Sequence, residues 1–168
     1  MRTGKKVLLR APAEHLLSYM LPITVAGIIP WLLVNGAVID INIPRIAAGT
    51  IIAAAGLWLL IRCAALLAVR GRGTLAPWSA TVKFVAQGPY KYTRNPMISA
   101  VIVILLGESL AMASKAVLAE AAVFFVINHF YFILSEEPGL LKRFGKPYAG
   151  YKRKVPRWGW KIMNDRHT

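Results

Sequence analysis

Apolar residues crowd into four runs nearly free of charge, residues 16–37, 46–69, 97–113 and 116–134, with short polar segments between them. A helix of about 20 apolar residues covers the ~30 Å hydrocarbon layer of a bilayer, and backbone inside lipid must pair its own amides. Each run is therefore predicted to be a membrane-crossing helix. Pro22 and Pro30 fall inside the first run and should bend it, whereas Pro44 and Pro96 suit the openings of the second and third helices. Only Ser114 and Lys115 part the third run from the fourth, which predicts a tight antiparallel hairpin. Both of these helices are short for a crossing and need a thinned bilayer or little tilt. The expectation is an all-α polytopic membrane bundle of about four helices. The first run is longer than the roughly 7–15 apolar residues of a cleavable signal core, so it is read as a retained helix.

Beyond residue 134 the pattern changes. Leu141, Phe144, Tyr148, Tyr151 and Val155 recur every three or four residues with Lys and Arg between them, and Gly145 and Pro147 should interrupt any single helix. This predicts a C-terminal amphipathic segment in one or two pieces at the cytoplasmic interface, either anchored on anionic lipid or touching substrate. The organisation expected is one membrane domain over 1–168: a two-helix part (1–70), a second part (71–158) and a basic tail (159–168).

Composition agrees and charge orients. Of the 168 residues 57% are hydrophobic and 17% charged, too apolar for an ordinary soluble domain. Lys and Arg number 21 against seven Asp and Glu, a net charge of +14. That balance alone would suit a nucleic-acid partner, but 18 of the 21 cations sit before residue 11, between Arg70 and Arg94, or after residue 141. Basic blocks alternating with uncharged runs mark a multispanning membrane protein with those blocks on the cytoplasmic side, and not a groove that follows phosphates. Both termini are then cytoplasmic, as an even number of crossings requires. Cys63 is the lone cysteine, so neither a disulfide framework nor a thiolate metal site is expected, and no metal is called for.

Three groups of residues carry chemistry. In Gln87–Met97, helix initiation explains Asn95 as an N-cap and Pro96 as the first helical residue, but not Tyr90, Tyr92 and Arg94 beside a helix N-terminus, whose free amides attract an anion. Glu136 and Glu137 end an apolar helix before Pro138, where the dipole disfavours carboxylates. They either pair with nearby cations or bind ligand hydroxyl or ammonium groups. Arg62, Glu108, Glu120, Asn128 and His129 are polar residues inside the runs, and ionisable groups at that depth are functional hypotheses by default. His129 and Glu136, seven residues apart, fall within about 20° on one helix face and predict a polar stripe. His129 is also readable as a histidine bonded across helices.

Taken together, Gly88-Pro89-Tyr90, Arg94-Asn95-Pro96-Met97, Glu136-Glu137-Pro138, Phe144-Gly145, Tyr148, Tyr151 and Val155-Pro156-Arg157 resemble the isoprenylcysteine carboxyl methyltransferase and phospholipid methyltransferase family of integral membrane enzymes. The resemblance runs from about Gly71 to Trp158. It implies an S-adenosylmethionine-dependent methyltransferase, with the cofactor held at the cytoplasmic face and a lipophilic acceptor, isoprenylcysteine carboxylate-like or lipid-like, arriving from the bilayer. The family's cofactor contacts would fall on Lys83, Phe84, Val85, Tyr90, Asn95, Pro96, Met97, Ile98 and Glu136, and the candidates for catalysis are Arg94, His129 and Glu137. Many relatives have His at Asn95 and Tyr at Ile98, and the prenylcysteine enzymes carry an Arg at Phe132. The Arg-Asn-Pro-Met variant is similar to a bacterial branch, which implies the inner (cytoplasmic) membrane. A non-catalytic scaffold or lipid-binding protein, and a nicotinamide-dependent reductase of similar architecture, are the alternatives.

Overall fold

The structure, a computed structural model, describes residues 20–35, 41–71 and 84–159. The described residues are helical with short connections and no strand. Helix α1 (Met20–Val34) is followed by α2 (Ile43–Leu66), which a π-helical turn, Leu67–Gly71, prolongs. After a 3-10 turn, Gly88–Lys91, come α3 (Pro96–Met112) and α4 (Lys115–Tyr131). A further π-helical turn, Phe132–Glu136, carries the axis of α4 into α5 (Glu137–Phe144), and α6 (Lys146–Lys154) follows. The ends expected for the first run, residues 16–19 and 36–37, lie outside the described residues.

Local chemistry explains the boundaries. Asn42 caps α2 by accepting the Arg45 amide at 3.0 Å, with Pro44 in the first turn. Ala113 ends α3 in the left-handed region (φ 49°), and Ser114 opens α4 by accepting the Val117 amide at 3.3 Å, so the hairpin forms where it was expected. In α1 the irregularity sits at Ala26 (φ −103°, ψ 20°), four residues before Pro30, which has no N–H for the Ala26 carbonyl.

Pro138 was expected to end the fourth helix, and it does not. The helix widens instead, with the Glu137 amide reaching back five residues to the Phe132 carbonyl. The π turn absorbs the proline's missing donor, and the axis continues to Phe144. Glu136 and Glu137 consequently lie inside a continuous helical rod and not at its end.

The rods Ile43–Arg70 and Lys115–Phe144, 28 and 30 residues, are long and apolar enough to cross a membrane. At 1.5 Å per residue each exceeds about 40 Å. Met20–Val34 and Pro96–Met112 are apolar but shorter. Helices α2 and α3 run antiparallel with backbones in contact. A Cβ on Gly49 would meet the Gly107 carbonyl at 2.5 Å, and one on Gly56 would meet the Ala100 carbonyl at 2.8 Å. Small residues permit this approach, as in helix packing within lipid. The core is thin: Leu60, Ala100, Val101, Ile104, Leu105, Val117 and Ala121. Trp31, Ile51, Ile61 and Ile127 are more than half exposed, an outer surface that suits hydrocarbon and not water. Arg62 lies over the Trp58 ring at 5.6 Å on that surface.

Candidate functional site

At the end of the bundle where α2 finishes, α3 begins and α4 passes into α5, the helices enclose a cavity of about 300 Å³. That volume stands at the lower bound of small-molecule sites. Its apolar side comes from α1 (Leu21, Pro22, Val25), Leu60 of α2, Leu67 of the π turn that prolongs it, Val101 of α3 and Phe124 of α4. Its polar side comes from Tyr90, Arg94 and Asn95, from Asn128, Tyr131 and Glu136 on the long rod, and from Arg143, Tyr148 and Tyr151. Phe84, Val85, Pro96, Met97, Ile98, Phe132, Leu140 and Phe144 complete the wall.

Eight of the nine residues carried over as cofactor contacts therefore line one space: Phe84, Val85, Tyr90, Asn95, Pro96, Met97, Ile98 and Glu136, joined by Arg94. Lys83, the ninth, lies outside the described residues. His129 and Glu137 are not among the lining residues.

Asn95 is the most informative of these positions. It precedes α3 as an N-cap residue should, yet its side chain caps nothing, and its buried Nδ2 has no hydrogen-bond partner. Its backbone carbonyl is occupied, accepting from the Ser99 amide (3.1 Å) and the Ser99 hydroxyl (3.0 Å). A buried donor left unpaired costs about 1–3 kcal/mol, which a lone pair brought within reach of Nδ2 would recover. Beside it the first turn of α3 presents amides with no partner inside the helix, and Pro96 at its start offers none to obstruct them.

Glu136 faces the same space as an acceptor, with the Tyr131 hydroxyl donating to Oε2 at 3.3 Å. Aromatic rings form the wall toward the C-terminal segment. Phe84 stands 5.5 Å from Phe144, and edge-on to Tyr148 (6.0 Å) and Tyr151 (5.1 Å). Burial pushes the Tyr90 hydroxyl well above its ordinary range, and Cys63, Tyr151 and Glu136 act in the same direction. Burial likewise raises Tyr151, whose hydroxyl donates to the Tyr90 carbonyl at 2.7 Å. Both phenols stay protonated, and Tyr151 serves as a donor.

Glu137, itself buried, turns away into an ion cluster. Its Oε1 accepts from Arg94 Nη1 (2.8 Å) and Arg157 Nε (2.5 Å), and its Oε2 meets Lys152 Nζ (2.8 Å). The hydrogen bond to this carboxylate also raises the Arg157 pKa. Of the two readings for the acidic pair, cation pairing describes Glu137, while Glu136 is the carboxylate open to a ligand. The predicted polar stripe does not form one wall. The π turn between His129 and Glu136 advances fewer degrees per residue than an α-helix, so the two side chains part. His129 Nδ1 accepts the Trp158 indole N–H at 2.9 Å, with the rings stacked 6.3 Å apart. Arg62, Glu108 and Glu120 also lie off the wall, whereas Asn128 is on it, its Nδ2 donating to the Phe124 carbonyl at 2.8 Å.

Sequence reasoning missed how far the segment after Gly145 builds the site. The Arg94 amide donates to the Pro156 carbonyl (2.9 Å), and the fully buried Thr93 hydroxyl donates to the Arg157 carbonyl (3.0 Å). Tyr148 is 2% exposed, so this face of α6 is spent on protein contacts. The period of Tyr148, Tyr151 and Val155 signalled an apolar face. Nothing in the spacing said that residues 84–95 would cover it.

Comparison with known proteins gives one match. A family model described as phospholipid methyltransferase matches residues 44–147, which takes in α2 to α5 and most of the cavity wall. No curated protein and no solved structure matches the chain.

Proposed function

Because the chain belongs to the phospholipid methyltransferase family, we propose that it is an S-adenosylmethionine-dependent enzyme that methylates a lipophilic acceptor drawn from the bilayer. The observation that carries this reading is the unpaired Asn95 Nδ2, buried in the same cavity wall as the Glu136 carboxylate and the first turn of α3. A zwitterionic amino-acid group needs donors for its carboxylate and an acceptor for its ammonium, and this wall offers both. Asn95 and the α3 amides would receive the carboxylate, while Glu136 would receive the ammonium or the ribose hydroxyls. Phe84, Phe144, Tyr148 and Tyr151 supply rings for a flat heterocycle.

When bound, S-adenosylmethionine supplies a methyl group on a sulfonium sulfur, whose charge is lost as the methyl leaves. The chain's work is then alignment and exclusion of water, which proximity and a low-dielectric wall accomplish without a strong acid or base. Leu21, Val25, Leu60 and Phe124 make the apolar side on which an oily acceptor would lie. Arg94 sets the local field, and His129 and Glu137 are kept as candidates that act from behind the wall. In this reading α1 and α3 complete a bundle of four crossings with the basic segments toward the cytoplasm. A scaffold that has lost turnover and a nicotinamide-dependent reductase are the competing activities.

The test is transfer of labelled methyl from S-adenosylmethionine into a total lipid extract by the purified chain in nanodiscs, followed by identification of the labelled product. Label in a lipid, lost in Glu136→Ala, is the expected result. Cofactor binding without transfer would favour the scaffold, and displacement by a nicotinamide dinucleotide would favour the reductase.

A further inference from the structure

We infer that Glu137 is a positioning residue: one buried carboxylate holds the Arg94 guanidinium in the cavity wall and, through Arg157 and Lys152, ties the C-terminal segment over that cavity. The inference rests on the proposed function only in the ligands used to test it.

Arg94 has the wall position and Glu137 does not. Their side chains are 10% and 6% exposed, so water does little to orient either group and the 2.8 Å contact governs where the guanidinium points. Oε1, the oxygen that fixes Arg94, also accepts from Arg157, and Oε2 takes Lys152. Two backbone-directed bonds run in parallel with this cluster: Arg94 N–H to the Pro156 carbonyl, and the Thr93 hydroxyl to the Arg157 carbonyl. Residues 93–94 and 156–157 are thus joined twice through backbone and once through Glu137. Tyr148 and Tyr151, which depend on that docking, are themselves part of the wall.

Three cations around one carboxylate leave the cluster with an excess of two positive charges. It can therefore attract an anionic ligand group while remaining internally fixed. This gives Glu137→Gln a sign that separates three roles. Simple electrostatics predicts tighter binding of an anion, because the substitution removes a negative charge. A general base predicts lost turnover with binding intact. Positioning predicts weaker binding of a ligand that carries a carboxylate, because Arg94 is released and the tail loosens.

The experiment measures binding of S-adenosylhomocysteine and of 5′-methylthioadenosine, which lacks the amino-acid group, to the full chain in nanodiscs. Glu137→Gln is expected to weaken the first by about tenfold, the scale of one charge-assisted hydrogen bond, and to leave the second within about twofold. Equal weakening of both, or weakening of neither, overturns the proposal. Arg157→Gln keeps the Arg94–Glu137 pair and should give the same selectivity at smaller amplitude. Unselective or wild-type behaviour in that variant is equally fatal, whether or not Glu137→Gln folds. A wild-type chain that binds neither ligand refutes the proposed function instead. The clamp is then read by hydrogen exchange at the Arg94 amide, which Glu137→Gln accelerates if the carboxylate couples the two segments and leaves unchanged if it does not.

Discussion

The two ends of the α2–α3 pair solve one problem, holding segments together, in opposite ways. Away from the cavity, Gly49, Gly56, Gly107 and Ala111 bring two backbones into close contact. Around the cavity, residues 84–95 meet residues 137–158 through hydroxyls, guanidinium groups and carbonyls. The first contact has no spare room. The second contains an unpaired donor at Asn95 and excess positive charge around Glu137, features that cost stability and make sense beside a ligand. Structure and site are thereby separated along the bundle, and substitutions should separate them too.

The largest effect is expected in the seam. In Gly107→Leu the new Cβ would meet the Ala53 amide at 2.5 Å and the Gly49 carbonyl at 2.6 Å, both backbone atoms that cannot move alone. A loss of about 3 kcal/mol or more is expected, read as a collapsed thermal midpoint in detergent. A variant that melts normally would mean the seam is not closed as described. Next comes Glu136→Gln, which should weaken S-adenosylmethionine binding by about tenfold with the midpoint almost unmoved, since among the described residues Glu136 is bonded only by the exposed Tyr131. Lost stability with retained binding would return Glu136 to a structural role.

Smaller effects probe the joint between site and tail. Tyr151→Phe removes the 2.7 Å bond to the Tyr90 carbonyl and should cost about 1 kcal/mol, seen as faster hydrogen exchange across residues 88–94. His129→Ala strips the Trp158 indole of its acceptor, outside the cavity wall. Cofactor affinity should stay within about twofold while turnover falls further. Equal loss of both would put His129 in contact with the cofactor.

Much of this was legible in the chain. The four apolar runs coincide with α1 to α4, except that the fourth rod runs on to Phe144, because apolar helices announce themselves by length and absence of charge. Eight of the nine residues transferred by motif line one cavity, because the Arg94–Met97 turn and the acidic pair are local features with fixed offsets. What spacing could not convey was long-range. Pro138 reads as a stop until the π turn before it is seen, and that turn decides which of Glu136 and His129 faces the cavity. The two adjacent glutamates look equivalent in sequence. They diverge because neighbours on a rod point about 100° apart, and the cations that claim Glu137 come from residues 43 and 20 positions away.

The most direct test of the whole account is calorimetric titration of S-adenosylmethionine into the nanodisc-embedded chain beside Asn95→Ala and Glu136→Ala. Saturable binding in the roughly micromolar range, lost in both variants while their thermal midpoints hold, is the predicted result. Absence of saturable binding in the wild type, or unchanged affinity in both variants, would contradict it.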